Sequence, residues 1–342
     1  MLLTTRLFAR VVSLTAALGC ALMVSSPAFA TDKEKITIAV GGKNLFYYLP
    51  LTIAEQKGYF KEQGLTVEIV DFAGGAKALQ AVVGGSADVV SGAYEHTINL
   101  QSKKQYFTAF VQQGRAPQIV LGVSTKTMPN YKSLADLKGK KIGVTAPGSS
   151  TNMVVNFILD GAGLKPSDVS IIGVGAGSGA VSAMNAGQID AISNLDPVIS
   201  ALERDKSIRV VVDTRKIEAT RKLFGGDMPA GCLYAPEEFL KKYPKATQAL
   251  TNAIVKANRW IAKASPDEVL KSVPASFHLG DPELYKQTFA NVREAISPDG
   301  TISDSGVQTA LKAIAEFDNK LDPKSIDLKR TYTNEFVNRA PK

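Results

Sequence analysis

A few loops carry most of the side chains that this sequence offers for binding chemistry. They hold Asn44, Phe46, Tyr47 and Tyr48; Gly74 and Gly75; Tyr94, Glu95 and His96; Gly148, Ser149, Ser150 and Thr151; Gly177; and Asp196 before Pro197. These loops follow apolar, β-rich runs, and several lead into helical patterns. They are therefore expected at the carboxyl ends of strands, where open α/β sheets bind ligands and helix starts present free N–H groups. Glycine lets the backbone come close, and the helix dipole favours a negative group. The chemistry this suggests is capture of a carboxylate, sulfonate or other oxyanion, although each glycine equally serves an ordinary βα turn. The hydroxyls of Ser149, Ser150 and Thr151 either add donors for a ligand or act as plain N-caps. Asn44, Tyr47 and Tyr48 with Phe46 can wall a pocket, one of the aromatics belonging to the core. Glu95 suits an ammonium group or a helix cap, and His96 reads as a satisfied surface imidazole rather than a ligand. Asp196 either touches ligand or holds its own loop.

The elements that must position these residues are written twice. Val67 to Gly92 and Val169 to Asn194 share a strand, a glycine turn, a short helix and a strand. Gly75 matches Gly177, Gly85 matches Gly187 and Asp88 matches Asp190, each pair 102 residues apart. One α/β unit repeated at this spacing predicts two similar lobes facing each other across a cleft. Strands are predicted over 35–40, 65–71, 87–91, 106–112, 119–124, 141–145 and 208–213, and helices over 49–57, 76–83 and 152–160. Ser133 with Asp136 has the form of a capping box. The strand at 119–124 is placed at the end of the first lobe, and Leu233–Ala235 is taken as the return crossing. That gives a leader over 1–30, a first lobe of 31–124 plus 226–342, and a second lobe of 125–225. The helical tail, over 248–264, 266–272, 282–296 and 305–317, is expected to wrap the first lobe.

Arg6 and Arg10, the apolar run from Val11 to Val24 and Ala28-Phe29-Ala30 form a secretory leader cleaved after Ala30. Cys20 sits in a weak lipoprotein-like context, and the better-formed cleavage site argues against lipidation. Without the leader, Cys232 is the remaining cysteine, read as a small buried apolar residue. The net charge of +8 comes from basic residues scattered among acidic ones, with no basic run of the kind nucleic acid requires. Gly175 to Ala180 fits G-x-G-x-x-A after a strand, but the helix that follows is short and an exported chain does not meet a cytoplasmic dinucleotide pool. There is no G-x-S-x-G, H-E-x-x-H or C-x-x-C, and His96 and His278 are the only histidines. No catalytic set, metal or cofactor is therefore expected.

The run Tyr47 to Leu65, with Gly84 to Val90, Gly187 to Ala191, Leu134 to Val144 and Gly148-Ser149-Ser150, resembles the periplasmic solute-binding proteins of ABC importers. The relevant branch takes nitrate, sulfonates, taurine and thiamine-pyrimidine precursors. The resemblance implies a type II two-lobed α/β fold, each lobe a doubly wound mixed sheet with helices on both faces. It further implies a monomer that closes on a small anionic or zwitterionic solute and docks on a membrane permease with its ATPase. Asn194-Leu195-Asp196-Pro197 lacks the aromatic residue that alkanesulfonate and nitrate binders often carry before Asp-Pro. The cysteine-rich motif of the pyrimidine-synthesising relatives is absent too. A secreted enzyme using the same cleft and a ligand-sensing partner of a membrane signalling protein are the alternatives.

Overall fold

The computed structural model describes residues 32–342, so the leader, its cleavage after Ala30 and Cys20 lie outside the described residues. The β-rich runs form β1 (Lys35–Gly41), β2 (Thr66–Phe72), β3 (Val89–Ala93), β4 (Phe107–Gln112), β5 (Val120–Ser124), β6 (Lys141–Val144), β7 (Ser170–Gly173), β8 (Ala191–Asn194), β9 (Ile208–Asp213) and β10 (Gly231–Pro236). They make two five-stranded sheets of the same design, ordered β2-β1-β3-β10-β4 and β7-β6-β8-β5-β9. β1 runs parallel to β2 and β3, and β6 runs parallel to β7 and β8. β10 and β5 are antiparallel to both their neighbours. The two strands that follow the crossings between lobes are thus the antiparallel ones.

Two expectations change here. β5 was expected in the first lobe but pairs with β8 and β9 in the second sheet. Leu233–Ala235, expected as the return crossing, lies inside β10 between β3 and β4. Both strands are buried along almost their whole length. Such a strand shows no alternation, so its sequence does not say which sheet it joins.

The repeat has a structural basis. Asp88 Oδ2 accepts from the Thr37 amide at 2.9 Å, and Asp190 Oδ2 accepts from the Lys141 amide at 3.0 Å, so each copy's aspartate pins the start of the strand beside it. Gly85 and Gly187, at φ 77° and 76°, close the preceding helices in the left-handed conformation that glycine adopts without penalty.

Helices cover the sheets: α1 (Leu49–Gln56), α2 (Tyr59–Glu62), α3 (Gly75–Val83) and α4 (Glu95–Gln101) in the first lobe, and α5 (Ser150–Gly161), α6 (Ser178–Ala186), α7 (Val198–Arg204) and α8 (Ile217–Phe224) in the second. The tail supplies α9 (Glu237–Lys242), α10 (Pro244–Lys263), α11 (Pro266–Lys271), α12 (Pro282–Val292), α13 (Asp304–Phe317) and α14 (Glu335–Asn338). Proline opens α10, α11 and α12, and the Ser265 and Ser303 hydroxyls cap α11 and α13. The tail does not wrap the first lobe alone. α10 packs on α1, α2 and β4, but α13 packs on α5 and α8 as well as α4, and α12 meets α7, where Arg204 pairs with Asp281. An amphipathic pattern says that one face is buried, not against which lobe. Leu121, Val123, Ile142 and Val155 of the second lobe join the main core, while Val120, Ile192, Met184 and Leu202 form a smaller one. Among the described residues no helix is long and apolar enough to cross a membrane.

Candidate functional site in the cleft between the lobes

The strand-end loops of the two lobes meet directly. Ser149 occupies the N-cap position of α5, yet its hydroxyl does not cap that helix; it accepts from the Ala76 amide in the first turn of α3 at 3.0 Å. Asn44 Nδ2 donates to the Ala176 carbonyl at 3.0 Å, and the Phe46 amide donates to the Asp196 carbonyl at 3.1 Å. The backbones come so close that side chains are excluded. A Cβ on Gly42, which has φ +94°, would lie 2.5 Å from the Ala176 Cβ, and one on Gly74 would lie 2.8 Å from the Ala146 Cβ. Glycine at these points permits the approach of one lobe to the other.

Behind this seam lies a buried cluster of aromatic and titratable groups. Tyr47 and Tyr48 meet edge to face at 4.9 Å, and Gly231 of β10 lies against the Tyr47 ring. Phe46, one residue earlier, is core: its ring sits 4.3 Å from Tyr285 and 6.4 Å from Phe289, anchoring this loop to the tail. Each such pair adds about 0.5–1.5 kcal/mol beyond area burial. Glu95, 6% exposed, begins α4, and burial pushes its carboxyl up to about 7. Its charge acts on Tyr47, Tyr48, Tyr234 and Cys232, and burial raises the pKa of all four. His96, 2% exposed, shares a 2.9 Å hydrogen bond between Nδ1 and the Tyr234 hydroxyl. Burial lowers its pKa to about 4, although the Gly148 backbone across the cleft favours the charged ring. Nε2 has no hydrogen-bond partner among the described residues. The ring lines a groove of about 450 Å³ between the lobes, with Ala76, Gly148, Asn152 and Asn99.

On the second lobe, Asp196 is 2% exposed and accepts from the Ser200 amide and hydroxyl at 2.8 and 2.7 Å. Arg215 faces it at 3.5 Å and pairs at 2.7 Å with both Glu203 and Asp213. Burial raises the Asp196 pKa against the opposing pull of Arg215 and Ser200.

The structure thus brings Asn44, Gly74, Gly75, Ser149, Asp196 and the Phe46 backbone to the seam, with Tyr47 and Glu95 in the buried cluster behind it. Gly148, at φ +82°, turns the chain into α5 and its amide donates to Asn152 Oδ1. Thr151 stays within its lobe, its hydroxyl accepting from the Thr145 amide and its carbonyl from Ser193; Ser150 is the half-buried first residue of α5. Tyr94 points away: its hydroxyl bonds Thr331 at 2.6 Å in the core. A Cβ on Gly177 would meet nothing within 4 Å. His96 is buried rather than a surface imidazole. Sequence reasoning assigned no role here to Gly42, Ala146, Ala176 or Tyr234. Ala176 stands in the second copy of the repeat where Gly74 stands in the first, 102 residues earlier, and that match was an available signal. Cys232 is buried, as its apolar surroundings suggested. Among the described residues no group of three or more His, Cys, Asp or Glu is placed to hold a metal.

Comparison with known proteins agrees with this architecture. The profile of the NMT1-like family matches residues 31–273. YtlA of Bacillus subtilis (strain 168), whose name calls it a binding protein, is 24% identical over 311 residues, covering 90% of each chain. A Saccharomyces cerevisiae 4-amino-5-hydroxymethyl-2-methylpyrimidine phosphate synthase, THI13, is 26% identical over 238 residues, 67% of each chain. A solved structure from Bordetella bronchiseptica RB50 is 61% identical, covers 91% of this chain and 98% of its own, and has a TM-score of 0.90. The alkanesulfonate-binding protein of Xanthomonas axonopodis pv. citri, 19% identical, covers 89% of this chain and all of its own with a TM-score of 0.67, and so shares the periplasmic binding-protein fold.

Proposed function

From the NMT1-like family, to which this chain belongs, we propose that the protein is the extracytoplasmic solute-binding receptor of an ABC import system. It captures a small organic solute, anionic or zwitterionic, in the cleft and delivers it to a membrane permease driven by an ATPase. One observation carries this reading: bonds and glycine contacts from matching loops of both lobes meet at a single seam, led by Ala76 and Ser149 at 3.0 Å. A solute touching both faces stabilises this arrangement over an open one, which is how two-lobed receptors signal occupancy. The leader in the first thirty residues supports export to the periplasm, and the relatives named for binding support a receptor rather than an enzyme. The yeast synthase keeps an enzyme as the competing reading, and recovery of the solute unchanged after incubation with the protein separates the two. We further read the protein as a monomer.

The test is thermal unfolding of the leaderless protein with sulfonates, carboxylates, nitrate, bicarbonate and pyrimidines. A solute at 100 times its Kd adds about 2.7 kcal/mol of stability. A panel in which no compound moves the midpoint overturns the receptor reading.

A further inference from the structure

Glu95 is a buried carboxyl with no counter-charge. No lysine or arginine acts on it, and it forms no ion pair with any described residue; the hydrogen bonding it feels is from its own backbone amide. The neighbours that feel its charge are three phenols and a thiol: Tyr47 and Tyr48 on the loop before α1, and Cys232 and Tyr234 on β10. Tyr47 and Tyr48 stand at 80° to one another, forming two walls of an aromatic corner. Gly231 pairs with Ala93, two residues before Glu95, and lies against the Tyr47 ring, so the end of β3 brings the carboxylate beside this corner. A carboxylate beside such a corner is complementary to a cation, which gains the charge at one end and ring faces at the other. It is a poor seat for a simple anion, which would meet like charge in a place with little water to screen it. The opposite side of the seam is also less open to an anion than a bare helix start, because the Ala76 amide of α3 is already satisfied by Ser149.

We propose that Glu95 is the recognition group of the cleft and that the solute carries a protonated or donor-bearing nitrogen, such as an ammonium, amidinium or aminated heterocycle, seated against Tyr47 and Tyr48 with its N–H groups on the carboxylate. This rests on the receptor reading and narrows it, excluding nitrate and simple sulfonates while keeping zwitterions.

Isothermal titration of the leaderless protein and its Glu95→Gln variant with benzamidine, taurine, benzoate and ethanesulfonate tests it. Benzamidine or taurine is expected to bind the wild type and to lose at least about tenfold in affinity in Glu95→Gln, while benzoate and ethanesulfonate bind neither or bind the variant better. If the variant melts poorly, the wild type alone decides. Benzamidine keeps its charge, so its affinity falls about tenfold per pH unit below about 7 as Glu95 protonates. Of the groups facing Glu95, the three tyrosines and Cys232 stay neutral in that range, and His96 titrates near 4. Equal affinity in wild type and variant, or a flat pH profile, overturns the assignment. If only the anions bind, the assignment falls and the receptor reading stands. If none of the four binds, the assignment falls and the wider panel decides the receptor reading.

Discussion

The Ser149 hydroxyl spends its hydrogen bond on the Ala76 amide of the opposite lobe, at 3.0 Å, instead of on its own helix. A residue in the N-cap position thereby becomes a latch between lobes. Ser149→Ala removes one neutral hydrogen bond that exists only when the lobes are together, worth about 1 kcal/mol. The expected outcome is about fivefold weaker solute binding with little change in the ligand-free melting midpoint, measured by titration with any compound found in the panel. A large drop in the ligand-free midpoint with unchanged affinity would show that the hydroxyl serves the fold instead.

Gly74 supplies a sharper test, because its φ of −176° is extended backbone that any residue adopts. An alanine there is acceptable to the first lobe alone. Its Cβ conflicts with the second lobe, at 2.8 Å from the Ala146 Cβ and 3.0 Å from the Ala146 nitrogen. Gly74→Ala is therefore expected to fold with stability within about 1 kcal/mol of wild type. It should bind at least about tenfold more weakly and show a larger radius of gyration in solution scattering. A variant that scatters and binds like the wild type would mean that the seam is not required.

The duplicated unit was readable because its markers answer to backbone geometry: Gly85 and Gly187 need φ near +77°, and Asp88 and Asp190 hold neighbouring strand starts by the same bond. What escaped the sequence was pairing between distant segments. β5 and β10 are evenly apolar, so nothing local assigns them to a sheet, and the faces of α12 and α13 do not name the lobe they cover. The same limit applies to the site. Ser149 and Asp196 could be singled out as capable of polar contact, but their partners, Ala76, Phe46 and Arg215, are fixed only once the lobes meet. Tyr94 was misplaced because its place at a helix start does not say that its hydroxyl turns into the core to meet Thr331, 237 residues further along the chain.

Glu95 and His96 are adjacent and both buried, yet they respond to pH in opposite senses. Glu95 is raised from 4.5 to about 7, so the folded protein holds its proton more tightly; stability from this group is full below pH 4.5 and is lost as pH rises through about 7. His96 is lowered from 6.5 to about 4, so its contribution is full above pH 6.5 and is lost as pH falls through about 4. Each difference corresponds to about 3 kcal/mol, and the two nearly cancel between pH 4.5 and 6.5. Single variants unmask them. Relative to wild type, Glu95→Gln should gain about 3 kcal/mol more at pH 8 than at pH 4, and His96→Gln about 3 kcal/mol more at pH 4 than at pH 8. Denaturant unfolding across this range checks both, and parallel stability curves for wild type and variants would rule the coupling out.

Arg215 holds three carboxylates, of which Asp196 is almost wholly buried. Removing the cation leaves Asp196 charged in a place where burial already disfavours that form. Breaking such a buried pair costs about 3 kcal/mol or more, whereas neutralising both partners is nearly free of that penalty. Arg215→Met should therefore lower the denaturant midpoint strongly, and adding Asp196→Asn should recover much of the loss, since the amide still accepts from the Ser200 amide and hydroxyl through its oxygen. Because the Asp196 carbonyl also receives the Phe46 amide across the seam, solute affinity should fall in the single variant and return in the double. If the two substitutions instead add, the arginine acts through Glu203 and Asp213 and not through the loop that reaches the cleft.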